Sequence, residues 1–277
     1  AARQALSHQP DLIGLQARTF TMPDAYRPAQ AIKRQNPEAR VLIGGPHPTI
    51  YPQETAALEA VDFAFAGEGE FGLPALLDVL DEPDRWAEVA GLVFKKNGAV
   101  HYTPSAGLLK DLDAVNYPAR KSSKYRRYGS ILASHGVMTT MISSRGCPFN
   151  CVFCNRMGRK YRHHSADYVL GEIADIVALG INEIFMQDDL FTLRRDRVMA
   201  ICEGIIARKY DITWEARTRV DCVDEEMLAL MRKAGCGRVS FGVESGSERV
   251  LKSMRKGVDL DQVEKVFGWC RREGIVT

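Results

Sequence analysis

The stretch "SSRGCPFNCVFCNRMG" (143–158) sets Cys147, Cys151 and Cys154 in one loop, with three and then two residues between them. Thiolates clustered this closely select zinc or an iron–sulfur centre. A structural zinc site closes its sphere with four protein groups, yet no second CxxC pair occurs elsewhere in the chain. The nearest histidines, His163 and His164, sit in "GRKYRHHS", which reads as a solvated basic turn. Three thiolates leave one coordination position open, and an open position on a metal centre is where a small molecule can be bound and transformed. This pattern favours iron–sulfur, with zinc and cysteines of no metal role as the alternatives.

The loop needs a scaffold to hold it. Upstream, "DLIGLQA" (11–17), "RVLIGG" (40–45) and "DFAFAG" (62–67) are short, apolar and stopped by Gly or polar turns, as buried parallel strands are. Helical spacing lies between and after them, in 23–35, 52–60 and 70–80. Such a βαβ series implies an α/β fold with an open doubly wound, Rossmann-like sheet, whose ligands sit beyond the strand C-termini. "GLVFKKNGAVHYT" (91–103) reads as a hairpin turning at Asn97-Gly98. The pattern dissolves over 104–136, read as a linker.

A second βα series follows over 137–277. Strands are expected at 137–144, 182–187, 211–217, 237–244 and 274–277. Helices are expected at 165–180 (N-capped by Ser165), 195–209, 224–235 and 261–274. Successive βα units favour a barrel or part-barrel with its site at the strand C-termini, where the cysteine loop falls. The chain opens inside a helix and stops on a strand, so a piece of a longer protein is expected.

Composition narrows the class. With 277 residues, 45% hydrophobic and 26% charged, there is ample chain for buried cores. The 37 Lys and Arg nearly balance 35 Asp and Glu, which gives no electrostatic case for nucleic acid or an anionic membrane. No apolar run approaches the roughly 20 residues of a membrane helix, and no secretory leader is visible. Cys202, Cys222, Cys236 and Cys270 are scattered singly and read as buried thiols. This usage suits a reducing, cytoplasmic compartment.

"CPFNCVFC" resembles the CxxxCxΦC signature of the radical SAM superfamily, with Phe153 as the aromatic residue before the third cysteine. "FMQDDLF" (185–191), "RVDCVDEEMLALMRKAGC" (219–236) and "FGVESGSERVL" (241–251) resemble the second-, third- and fourth-strand motifs of its Elp3-like and cobalamin-associated members. The resemblance implies a partial (β/α)6 TIM-like core and a 4Fe–4S cluster on the three cysteines. It implies S-adenosylmethionine (SAM) as the fourth ligand, cleaved reductively to a 5′-deoxyadenosyl radical. It places Phe153 by the adenine, Glu244 and Ser245 on SAM, Asp188 and Asp189 near its amino group or the substrate, and Arg219 on its carboxylate. Structural readings stand beside these: Asp188 and Asp189 can cap the next helix, Glu244 can pair with Arg219 or Arg238, and Gly246 can serve a turn.

"IGGPHPT" (43–49) and "AGEGEFGLPALL" (66–77) also suit tight βα turns. Ahead of such a core they resemble the cobalamin-binding domain of that branch. The resemblance puts Gly44, Gly45, His47, Gly67, Glu68 and Gly69 in the cleft for the nucleotide tail, and Thr19 and Thr21 near it. The DxHxxG motif that supplies a lower cobalt ligand in many cobalamin proteins is absent from these residues, and His47 is read as a turn residue rather than a cobalt ligand.

The domains expected are 1–103 for cobalamin, 104–136 as linker and 137–277 as radical SAM core. The activity implied is cobalamin-dependent methylation of an unactivated carbon in a small-molecule or natural-product substrate. A flavodoxin or ferredoxin would supply the electron. An oxidative cyclase of the anaerobic Mg-protoporphyrin monomethyl ester type is the enzymatic alternative, and a zinc or cobalamin-sensing module the non-enzymatic one. A methylthiotransferase fits less well, because no cysteine precedes Cys147.

Overall fold

The computed structural model describes residues 2–105, 107–127, 137–154 and 160–277. Part of the expected linker, 128–136, and residues 155–159 after the cysteine loop lie outside the described residues. The chain divides into two compact units, Ala1–Lys110 and Asp111–Thr277.

In the first unit the elements run α1 (Ala2–Leu6), β1 (Ile13–Gln16), α2 (Met22–Gln35), β2 (Val41–Gly44), α3 (Pro46–Ile50), α4 (Pro52–Ala57), β3 (Phe63–Phe65), α5 (Gly72–Asp78), β4 (Leu92–Lys96) and β5 (Ala99–Tyr102). The sheet order follows the chain from β1 to β5: the first three strands are parallel, and β4 and β5 are antiparallel. Alternation along the strands assigns each face its helices. Val41 and Ile43 join the clusters of α2 residues Ala29, Ile32, Met22 and Ala25, while Leu42, Phe63 and Phe65 pack with Leu76 of α5. Helices therefore cover both faces, as the doubly wound expectation requires. The hairpin turns at Asn97-Gly98, both at positive φ (52° and 77°), the backbone a two-residue turn demands. Within "GGPHPT", which suits a tight βα turn, the chain turns at Gly45 and enters α3 at Pro46.

The second unit carries β6 (Met138–Met141), β7 (Ser144–Arg145), β8 (Arg162–His163), α6 (Ala166–Ala178), β9 (Glu183–Met186), α7 (Arg195–Ala207), β10 (Thr213–Thr218), α8 (Glu225–Lys233), β11 (Cys236–Phe241), α9 (Glu248–Ser253) and α10 (Leu260–Glu273). Strands β6, β9, β10 and β11 form one parallel sheet in the order β11-β10-β9-β6, and Val276 adds a parallel bridge to Arg238. The expected Ser165 cap forms, accepting the Tyr168 N–H at 3.1 Å, and Asp224, expected inside its helix, instead caps α8 by accepting the Met227 N–H at 2.8 Å. One core joins sheet and helices, with Ile173, Ile184, Val198, Trp214, Leu228 and Val239 all buried.

Gly235 makes the tight turn between α8 and β11. Its φ is 93°, and a Cβ there would lie 2.1 Å from the Ile212 carbonyl oxygen. Gly235→Ala is expected to destabilise this unit by about 2–4 kcal/mol, from left-handed strain plus backbone overlap. Urea denaturation measures it; an unchanged midpoint would mean that the turn has another conformation.

Residues 111–127 are pinned along α6. Asp113 accepts the Ser165 N–H at 3.0 Å, the Arg120 guanidinium pairs with Glu172 and reaches the Thr140 carbonyl, and the Tyr125 hydroxyl donates to Leu179 O. The basic-turn reading of His164 is corrected here. That side chain is buried, stacked on Tyr168 with ring centroids 3.8 Å apart, and 3.2 Å from Asp113. Burial pushes its pKa below the ordinary histidine value, against the pull of Asp113. A sequence of charges around two histidines carries no sign that a tyrosine four residues on will cover one of them.

Candidate functional site

The root of the cysteine loop is held by buried polar groups. Asp188, at the end of β9, is 1% exposed. It accepts the Ser143 N–H and the Ser143 and Ser144 hydroxyls, each at 2.6 Å. Arg197 of α7, also buried, donates to the Ser143 carbonyl at 2.8 Å and the His164 carbonyl at 2.7 Å. Burial raises the Asp188 pKa; the serine donors and Arg197 oppose it.

Beyond this root the loop opens on a cavity of about 360 Å³ at the C-terminal ends of β9, β10 and β11. Cys147, Cys151 and Cys154 share its wall with Phe153, Asp189, Arg219 and Glu244. The segment after α9 folds back to complete it: the Val152 N–H donates to Met254 O at 3.0 Å, and Arg219 Nη2 to Lys256 O at 2.7 Å. Lys256 thus reaches the wall, a buried cation 3.0 Å from Glu244 Oε1 and 5.7 Å over the Phe153 ring. Glu244 holds a left-handed backbone (φ 71°), and a Cβ on Gly242 would meet its carboxylate at 2.6 Å. Gly242 therefore leaves room for the Glu244–Lys256 pair.

The sequence-expected residues divide. Phe153, 49% exposed, and Asp189 face the cavity with the three thiols. Asp188 does not line it; its oxygens are engaged by Ser143 and Ser144, so its place is under the loop rather than at a helix cap. Ser245 is outside the wall as well, its hydroxyl oxygen accepting the Ser247 N–H at 3.1 Å ahead of α9. Arg219 lines the wall, but its guanidinium grips Asp221 through Nε at 2.8 Å and Nη2 at 2.7 Å. Glu244 pairs with Lys256, while Arg238 pairs with Glu215. Lys256, Phe149 and Arg217 also line the wall and were not singled out from sequence. No spacing signal marks Lys256, which arrives only because α9 turns back.

The donor set suits a cluster. Three thiols face one cavity, and among the described residues no fourth cysteine or histidine shares its wall. Among the described residues no three His, Cys, Asp or Glu side chains close on a single metal ion. Cys202, Cys236 and Cys270 are buried as expected; Cys222 is half-buried, and burial pushes its thiol up to about 12.

In the first unit the glycine motifs meet at the C-terminal ends of β1, β2 and β3. Gly45 has φ 105°, and a Cβ there would lie 2.9 Å from Ala17 O. Gly67 (φ 101°) donates its N–H to the Thr49 hydroxyl at 3.0 Å, and His47 Nδ1 lies 3.4 Å from Thr19 Oγ1. Thr49, not singled out from sequence, also donates to the Gly45 carbonyl at 2.8 Å. Thr21 bonds to its own turn at Arg18, and Glu68 accepts the Leu109 N–H at 2.7 Å. A Cβ on Gly44 or Gly69 would meet open space, with no contact closer than 4.0 Å, so internal packing does not require either glycine. Phe20 (78% exposed) and Phe71 (59%) leave apolar surface beside these turns. Open glycine backbone flanked by bare aromatic rings fits a large, partly apolar ligand such as cobalamin.

These features fit a radical SAM domain that follows a B12-binding domain, and both domains are found in the chain. The Radical SAM superfamily model matches residues 141–277 and the B12 binding domain model residues 1–77. An uncharacterized methyltransferase of Pyrococcus horikoshii is 36% identical over 258 residues, 91% of this chain and 56% of that protein. An anaerobic magnesium-protoporphyrin IX monomethyl ester cyclase of Rubrivivax gelatinosus is 30% identical, over 97% of this chain and 50% of that protein. The chain therefore spans about half the length of these curated relatives. Among solved structures, the cobalamin-dependent SAM radical enzyme OxsB with aqua-cobalamin bound superposes with a TM-score of 0.80 at 25% identity, covering 99% of this chain and 41% of that one.

Proposed function

We propose that the chain forms the cofactor-binding part of a cobalamin-dependent radical SAM methyltransferase that acts on an unactivated carbon of a small molecule. The carrying observation is the cavity itself: three thiols, no fourth cysteine or histidine beside them among the described residues, and polar groups of both signs on the same wall. The methyltransferase relative and the B12-binding domain support methyl transfer. The 30% likeness to an anaerobic cyclase supports oxidative ring closure as the second reading.

Bound here, the cofactors would supply the chemistry: one electron from a 4Fe–4S cluster to the sulfonium of SAM, and a methyl group carried on cobalamin. The chain's residues bind and orient. Cys147, Cys151 and Cys154 hold the cluster and leave one iron for SAM. Lys256 and Arg217 offer cations for the SAM carboxylate, and Asp189 an acceptor for its amino group. Phe153 presents an exposed ring for the adenine, and the Glu244 oxygen not engaged by Lys256 can accept from ribose hydroxyls. Asp188 and Ser245 support the site from behind it. In the first unit Gly44, Gly45, Gly67 and Gly69 let backbone approach the cobalamin tail, with Thr19, His47 and Thr49 as polar contacts. Thr21 and Glu68 shape that rim through their own turns.

The domains proposed are 1–103, 104–136 and 137–277. Among the described residues no helix is long and apolar enough to cross a membrane; a cytoplasmic setting and a flavodoxin- or ferredoxin-type electron donor belong to this reading. Anaerobic expression with hydroxocobalamin, cluster reconstitution and assay of iron, cobalt and zinc per chain test it. About four iron and one cobalt are expected. Iron without cobalt would remove methyl transfer through cobalamin, and zinc alone would end the radical reading.

A further inference from the structure

Arg219 is 5% exposed, and four contacts fix its guanidinium. Nε and Nη2 bind the two Asp221 oxygens at 2.8 and 2.7 Å, and Nη2 also donates to Lys256 O at 2.7 Å. The plane lies over the Phe149 ring, 3.7 Å from its centroid. The remaining nitrogen, Nη1, points at the Cys151 sulfur, 3.7 Å away. An arginine committed in this way is poorly placed to swing toward a carboxylate in the cavity. It is well placed to present one N–H to a single cysteine sulfur.

We propose that Arg219 tunes the reduction potential of the cluster through a charge-assisted hydrogen bond to the Cys151 thiolate, with Asp221 setting both its orientation and its net charge. This rests on the proposed function only in taking Cys151 as a cluster ligand. Reduction adds one negative charge to the cluster. Hydrogen bonds to cluster sulfurs and nearby charge are among the levers that set its potential. A cationic donor at Cys151 stabilises the reduced state and raises the potential; the Asp221 carboxylate beside it partly cancels that field. The two residues therefore act in opposite directions.

The test is an EPR-monitored redox titration of the reconstituted protein without SAM, with SAM affinity measured separately. Arg219→Gln is expected to lower the equilibrium for cluster reduction at least tenfold, about 59 mV for a one-electron couple. Asp221→Asn is expected to move the midpoint the other way, and SAM affinity should stay within about twofold in both. A role in folding alone would not give shifts of opposite sign. If Arg219→Gln does not fold, Arg219→Lys keeps the charge but cannot span Asp221, Lys256 O and Cys151 together, and must show a smaller downward shift. Unmoved midpoints, or shifts of one sign, overturn the proposal. A large loss of SAM affinity at an unchanged midpoint returns Arg219 to the SAM carboxylate. Failure of the unsubstituted protein to assemble any iron–sulfur cluster is a different result, which overturns the proposed function itself.

Discussion

The Cys151→Ala protein is expected to fold, to retain almost none of its roughly four cluster irons, and to cleave no SAM above background. Cys151 sits mid-loop, and removing it leaves two thiols on the cavity wall, too few for a cubane that already depends on an outside ligand. The fold should survive, because the loop root is held by Asp188 and Arg197 and its far side by Met254 O. Cys222→Ala is the matched control. Its thiol is half-buried and held protonated, so iron content and cleavage should be unchanged. Iron by colorimetric assay and 5′-deoxyadenosine by chromatography decide the matter. Undiminished cleavage in the Cys151 variant would remove the cluster assignment altogether.

Asp188→Ala is expected to cost about 3–5 kcal/mol in urea denaturation and to lower iron retention as well. The substitution strands a buried backbone N–H, two buried hydroxyls and the charge of Arg197, and breaking a buried charge network by removing one partner has costs of that order. Asp188→Asn should be milder. Its oxygen can keep the Ser143 N–H, and the serine hydroxyls can rotate to accept from its amide. A small stability loss in the alanine variant would mean that water replaces the carboxylate at the root.

The fold was legible because its signals are local. Short runs with strand-like residues, ended by Gly or polar turns, became β1, β2, β3, β6, β9, β10 and β11, and Ser165 caps the helix it precedes. The Asn97-Gly98 turn needs only two residues to declare itself. The cysteines were legible for the same reason, since their chemistry lies in spacing along one loop. Side-chain partnerships were not. Lys256 comes to Glu244 because a short helix reverses the chain, and Arg219 turns to Asp221 two residues away rather than into the cavity. His164 is covered by Tyr168 and Asp113, the latter 51 residues upstream. Asp188 and Asp189 are neighbours of one residue type, yet the turn that follows β9 puts one under the loop and the other on the cavity wall. Pairings across the fold have no local signature, so these assignments needed coordinates.

The backbone at Glu244 bears on how the protein would respond to selection for robustness. A non-glycine residue at φ 71° carries a cost of order 1–3 kcal/mol, and glycine or asparagine would relieve part of it. Either replacement would remove the carboxylate that Lys256 faces and that the proposed function assigns to SAM. Thermal stability and ligand recognition therefore pull against each other at this one position. A variant library ranked by melting temperature alone would drift toward a sturdier chain with an emptied site, so position 244 should be held constant in any effort to harden this protein.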